Sequence, residues 1–371
     1  MKKSICNFII VIVSLAPLST VQSREYQKKI NKEFSISSDA IIDIESRHGN
    51  VNFVLGNQDK VTFDILITVD ADSEKKAQRI LDGIDVDFDA SSRRVSATTE
   101  LDVDSGGGSW KGWFGGNWNQ SISFDIEYTV TLPATAKILI DHAFGDVIIP
   151  SMNNDLEIDM KHGNARIGDI TGDAIIDLKH GEIDMGDAAN LDLEFHHSSL
   201  SAHIVKHVEV EMSHSDFEIH EATEMDIESS HSDITIEKVQ RLDSDGQFDD
   251  LEIEWVLEIE VEGQFSDINI DWLDSQANFD LQHGELEIEN VAKQATLISI
   301  DGQHSSVSLD LQHSFSFDFE GEHVKPKFRN QPNYTHLDDE SHSYEYEGSY
   351  GSNPKLRLMV DMEHGSFRVG N

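Results

Sequence analysis

The sequence predicts an all-β fold, a parallel β-solenoid with about 17–18 residues per rung and about a dozen rungs. Three observations carry that prediction. A short motif recurs at near-equal steps along the chain. Apolar and polar residues alternate within each step, which is the period of a strand. The one cysteine leaves no disulfide framework, so packing and backbone hydrogen bonds must hold the molecule together.

The motif is His or Phe, then Gly or Ser, then a polar residue, then alternating apolar positions. It reads His-Gly-Asn-Val at 48, Phe-Gly-Asp-Val at 144, His-Gly-Asn-Ala at 162 and His-Gly-Glu-Ile at 180. It continues from His197, His214, His231, Phe248, Phe265, His283 and His304, and returns at His364. From Phe144 to His304 the steps are 18, 18, 17, 17, 17, 17, 17, 18 and 21. A lone unit cannot bury its apolar row, whereas units stacked about 4.8 Å apart bury all rows in one core. Each unit is expected to hold two short strands, with one turn near its middle and another at the Gly/Ser corner.

The elements follow in order. Lys2 and Lys3, the apolar run Ile5 to Leu18, and Val21-Gln22-Ser23 predict a secretory signal peptide over 1–23. The run is too short to span a bilayer, which takes about 20 residues. The mature chain is therefore expected to have no transmembrane segment and to be exported: periplasmic, outer-surface-associated or secreted. Cys6 leaves with the leader.

Residues 24–143 are expected to form an N-terminal cap and the first coils. A rung-like segment runs from Ile41 to Phe53, and a strand from Val61 to Val69. Ala77, Ile80, Leu81 and Ile84 lie at helical spacing behind Ser73, a candidate N-cap. The run Ile84-Asp-Val-Asp-Phe-Asp alternates as a half-buried strand. Strands resume at Ile122 and stop at Pro133. Between them, a Trp/Gly-rich loop at 105–120 carries Trp110, Trp113, Phe114 and Trp118. Two readings are open for it: a contact site for a partner, or a plug for the open end of the solenoid. The regular repeats occupy 144–322. A Tyr/His-rich insertion at 323–355 holds Tyr334, Tyr344, Tyr346 and Tyr350, a second candidate binding loop or a solvated spacer. A terminal rung occupies 356–371.

The recurrent ring defines a column: Phe144, His162, His180, His197, His214, His231, Phe248, Phe265, His283 and His304. Counting by twos from Val208, Val210 and Met212 sets His214 on the inward side. Phe cannot ligate metal, so a column that accepts both rings reads as a structural ladder of stacked rings. Histidines also crowd within two rungs at His196, His197, His203, His207 and His214, which are weak metal candidates. No cofactor is expected, and a divalent cation is compatible without being required.

Charge narrows the partners. Lys and Arg total 28 against 70 Asp and Glu, for a net charge of −42. Such a surface repels nucleic acid and anionic lipid and attracts cations or basic partners. No nucleophile elbow, zinc His pair, phosphate-binding glycine loop or EF-hand spacing occurs. Acid pairs are too numerous for any one to stand out as a glycosidase dyad.

The run Tyr128-Thr-Val-Thr-Leu-Pro-Ala-Thr-Ala-Lys-Ile-Leu-Ile, followed by Phe144-Gly-Asp-Val-Ile-Ile, resembles the putative-adhesin family of bacterial β-strand-repeat proteins. The His48-Gly-Asn-Val-Asn-Phe rung and the closing Leu356 to Val369 rung resemble it too. The resemblance spans roughly 40–371 and implies a β-helix-like array outside the cytoplasm, with no catalytic residues to transfer. This chain departs from it in the His before the Gly and in its Trp-rich loop. The expected function is a non-enzymatic, adhesin-like envelope or structural protein that binds an unknown protein or glycan partner. The alternatives are a carbohydrate-active lyase or hydrolase on a β-helix, and a divalent-cation-binding surface protein.

Overall fold

The computed structural model describes residues 24–101, 123–311, 316–323, 327–328, 333–338, 345–350, 352 and 354–370. Residues 1–23, where a leader is expected, and the Trp/Gly-rich segment 105–120 lie outside the described residues. The fold is a β-solenoid of about ten turns, 76% strand, with one short helix. The chain divides into two compact units: Met1–Asp173 with His180–Ile183, and Ala174–Lys179 with Asp184–Asn371.

In the second unit the regular rungs are the strands Ser199–Ser213, Asp216–Ser230, Asp233–Gln247 and Asp250–Gln264, paired in parallel at a constant 17-residue offset. Inward residues stack into columns, such as Leu200, Phe217, Ile234 and Leu251, and Val210, Ile227, Ser244 and Val261. Each of these is at most 3% exposed. The next two rungs are divided as expected, into Asp267–Ile270 and Leu273–Gln282 and into Glu285–Val291 and Leu297–Gln303. In the four regular rungs no separate turn divides the middle. The strand bends instead by two three-residue steps: Ala202, Val205 and Val208 are buried in succession, and alternation by twos resumes at Val210 and Met212.

In the first unit Ile41–Arg47 lies between Arg94–Leu101 and Lys137–Ala143, parallel to both. Val51–Leu55 pairs in parallel with Ser123–Leu132. That strand in turn pairs antiparallel with Lys60–Ala71, whose other edge carries Arg24–Ser35, also antiparallel. Beyond the parallel stack the sheet thus continues in antiparallel pairings, first Lys60–Ala71 and then Arg24–Ser35. The helix Glu74–Asp82 starts after Ser73, though the Ser73 side chain makes no capping bond, and buries Ala77, Ile80 and Leu81. Ile84 opens the next strand rather than ending the helix. Lys28 Nζ bonds the carbonyls of Leu81 (3.4 Å) and Ile84 (2.7 Å), where the helix's last carbonyls need donors.

The second unit closes by the same device. Leu356–Glu363 pairs with Leu297–Gln303 on one side and Phe317–Glu322 on the other. Beyond Phe317–Glu322 come Glu345–Tyr350 and then Asn333–Asp338, both antiparallel. The terminal rung is therefore interior, and the excursion that precedes it in sequence is outermost.

Candidate interaction surface

The corner that repeats along the chain is built on a backbone conformation that side chains rarely adopt. Among the described residues thirteen non-glycine residues have φ between +52° and +67°: the twelve His or Phe of the motif, from His48 to His364, and His323. The left-handed region costs an L-residue roughly 1–2 kcal/mol, so glycine or asparagine would be the ordinary choice. The rings recover that cost by stacking. His48, Phe144, His162 and His180 stack in the first unit at 4.9–5.0 Å. In the second, His197, His214, His231, Phe248, Phe265, His283, His304 and His364 follow one another at 4.7–5.0 Å, stacked except for His214 and His231, which are tilted by 37°. Such pairs contribute about 0.5–1.5 kcal/mol each.

The positive φ also reverses the side-chain parity. His214 is exposed, and Ser215 behind it is buried, so the inward placement obtained by counting in twos is corrected. Phe144, Phe248 and Phe265 stand 46–50% exposed. Because ring faces lie against ring faces, the surface is offered ring edges.

Behind the stripe, buried serines wire the rungs together. Ser215 Oγ accepts from the Ser198 amide (3.2 Å) and donates to the Ser213 carbonyl (2.8 Å). Ser232 repeats this one rung on, accepting from Ser215 (3.3 Å) and donating to Ser230 (3.0 Å). At Asp249 a carboxylate takes the serine's place and accepts from the Ser232 amide (2.8 Å) and the Ser229 hydroxyl (2.9 Å). Burial pushes its carboxyl above the ordinary value, against the pull of those hydrogen bonds.

Parallel register turns single acids into columns. Glu194, Glu211, Glu228, Asp245, Glu262, Asp280, Asp301, Asp361 and Glu322 are successive cross-strand partners. On the other side of the ring stripe Asp216, Asp233, Asp250, Asp267 and Glu285 form a second column. Asp301 and Asp250 are pushed up from the ordinary carboxylate value, first by burial and then by the acids above and below them. Among the described residues none of Glu211, Glu228, Asp245, Glu262, Asp280 and Asp301 pairs with Lys or Arg. The second unit's basic side chains sit elsewhere, as in Lys238–Glu221 (2.7 Å), Arg241–Glu224 (2.9 Å) and Arg357–Glu320 (2.9 Å). Arg241 and Glu224 line an open groove of about 450 Å³ at the mid-rung bend.

The histidines singled out for metal binding are dispersed among different contacts. His196 Nδ1 meets Ser213 Oγ (2.7 Å), His197 and His214 stack on each other, His203 meets Asp187 (2.7 Å) and His207 meets Glu224 (3.0 Å). The convergent group among the described residues is one the sequence reading missed: Glu322, His323 and Asp361. Trp110, Trp113, Phe114, Trp118 and Tyr344 lie outside the described residues. Tyr334 and Tyr346 fall on the strands Asn333–Asp338 and Glu345–Tyr350, and Tyr350 stacks on Phe317 at 5.6 Å.

No family model matches the chain, and no curated protein does. Solved structures do. A putative adhesin from Parabacteroides merdae is 10% identical, covering 74% of this chain and 96% of its own, with a TM-score of 0.33. A putative adhesin from Parabacteroides distasonis is 10% identical over 92% of this chain and 97% of its own, at a TM-score of 0.30. A putative cell adhesion protein from Clostridium sporogenes is 9% identical over 92% and 99%, at a TM-score of 0.19. Scores of that size leave the fold to rest on the strand register described above, and the role of the chain on its own surface.

Proposed function

We propose that this chain is an exported, non-enzymatic, adhesin-like protein that binds a protein or glycan partner along the rungs of its second unit. The observation that carries this reading is the ring stripe flanked by two columns of carboxylates, whose central members Glu211, Glu228, Asp245, Glu262, Asp280 and Asp301 pair with no Lys or Arg among the described residues. Ring faces, which attract cations, are hidden by stacking, so a cationic group is drawn to the carboxylates while the ring edges supply apolar contact. The partner that matches carries amino or guanidino groups repeated along an extended chain, as in a basic peptide segment or an amino-bearing glycan. Binding of this kind weakens with ionic strength, because exposed charges are screened beyond about 8–10 Å at physiological salt.

The test compares the wild type with the fourfold variant E211Q/E228Q/D245N/E262Q on an array of glycans and basic peptides. The variant is expected to keep its melting temperature and lose binding, and the wild type to lose binding as salt rises. Equal binding by the folded variant would sink the reading and move attention to Trp110, Trp113 and Trp118, whose joint change to Ala is the companion experiment.

A further inference from the structure

We propose that Glu322, His323 and Asp361, at the end of the long acid column, form a binding site for a divalent transition-metal ion of the zinc type, whether or not the rest of that column binds a partner. One ring nitrogen and two carboxylate oxygens lie within 4.8 Å of one another. Zinc accepts that donor set at bonds of about 2.0–2.2 Å, with water completing the coordination. A tetrahedron with such bonds holds its ligand atoms about 3.4 Å apart. The His323 Nδ1 to Asp361 Oδ1 contact of 2.7 Å must open slightly to reach that spacing, which rotation about side-chain bonds allows.

Backbone register assembles the group. Elsewhere in the unit a corner ring stacks on the ring of the next rung, as His304 does on His364 at 5.0 Å. Gln303 pairs with Glu363 there, so the residues that precede the two rings are opposite each other. The strand Phe317–Glu322 runs two residues out of that step. Glu322, which precedes His323, pairs with Asp361 instead of Glu363. His323 keeps the left-handed corner conformation, at φ 58°, but its ring is carried beside a carboxylate rather than over a ring. The slip converts a stacking residue into a ligand.

The electrostatic setting favours a cation. Asp361 and Glu322 end the long acid column, and Asp301 is the partner of Asp361 on its other side. The neighbouring Glu320 is already neutralised by Arg357, whose Nη2 bonds both of its carboxylate oxygens at 3.0 and 2.9 Å. Zinc must displace a proton from the imidazole, so uptake weakens on acidification.

The position provides its own control. Phe occupies the same corner at Phe144, Phe248 and Phe265, with φ of 67°, 63° and 55°. His323→Phe therefore removes the ligand and keeps the backbone. Zinc is titrated calorimetrically into the full chain at neutral pH, with cobalt as a spectroscopic stand-in. We expect the wild type to take up zinc and H323F and D361N each to weaken it by more than about tenfold. H364F, in the stacked ladder, is expected to match the wild type. No zinc uptake by the wild type, unchanged affinity in H323F and D361N, or an equal loss in H364F would overturn the proposal. D361N, which is isosteric, decides the matter if H323F does not fold.

Discussion

The two units solve the same corner differently. In the first, glycine follows the ring, and the rungs touch backbone to backbone. A Cβ on Gly145 would lie 1.8 Å from the Gly49 carbonyl oxygen, and one on Gly163 1.9 Å from that of Gly145. The rung-to-rung bond is then made outside by the following residue. Asn50 Oδ1 accepts from the Asp146 amide (2.9 Å), Asp146 from Asn164 (3.1 Å) and Asn164 from Glu182 (3.2 Å). In the second unit Ser198, Ser215, Ser232, Ser266 and Ser305 follow the ring. The hydroxyls of Ser215, Ser232, Ser266 and Ser305 make the bond from inside, as the Asp249 carboxylate does, while Gly284 and Gly365 keep the first unit's close backbone approach. Wherever a side chain lies between rungs it must carry an acceptor, because the amide facing it is buried. A glycine corner is thus intolerant of any side chain, and a serine corner is intolerant only of the wrong one.

The largest effect should come from forcing the first corner toward the second. Gly145→Ala and Gly163→Ala place a methyl inside a carbonyl's radius and should cost more than about 4 kcal/mol in urea unfolding, or abolish folding. Ser215→Ala leaves the Ser198 amide without its acceptor and should cost about 1–3 kcal/mol. Costs of the same size at both corners would break the comparison.

Two substitutions sharpen it through pH. Asp249 carries the one carboxylate among the buried corner residues of the second unit that are described. Its folded value lies above that of the unfolded chain, so native stability falls as pH rises through that interval and returns on acidification. Asp249→Ser should therefore raise the melting temperature at neutral pH, by about 1 kcal/mol in stability, with the gain shrinking towards pH 4. A gain that does not change with pH would exclude the carboxylate as its source. In the first unit His142 is buried against Ser46 Oγ, 2.7 Å from Nδ1, and burial lowers its pKa below the ordinary 6.5. Its contribution is present above that value and is lost as pH falls through it towards the folded one. Met160 is its partner on the next rung, so His142→Met should match the wild type within about 1.5 kcal/mol at pH 8 and exceed it at pH 5. Parallel melting curves at the two pH values would contradict this. The smallest effect belongs to Phe248→His, within about 0.5 kcal/mol, since both rings serve at that corner. A larger loss would mean that the stripe discriminates between them.

Most of the fold was legible because a parallel stack writes its register into the chain as a fixed step. Glu194, Glu211 and Glu228 are 17 apart in sequence and adjacent in space. What escaped was whatever breaks the step or the parity. A left-handed residue exchanges inside for outside, so His214 could not be placed by counting in twos. The two-residue slip at Phe317–Glu322 brings His323 to Asp361 across 38 residues, with no regular spacing to announce it. The candidate surface was half legible: the rings stood out by recurrence, whereas the acids flanking them were hidden among the 70 that the chain carries.

The interior position of Leu356–Glu363 bears on how such an array changes length. A repeat copied onto the last rung would have to lie where Phe317–Glu322 already sits, a strand itself covered by Glu345–Tyr350. A duplicated segment fits instead within 199–264, where the register entering a rung equals the register leaving it. Arrays of this design grow and shrink from the middle and inherit their two ends unchanged.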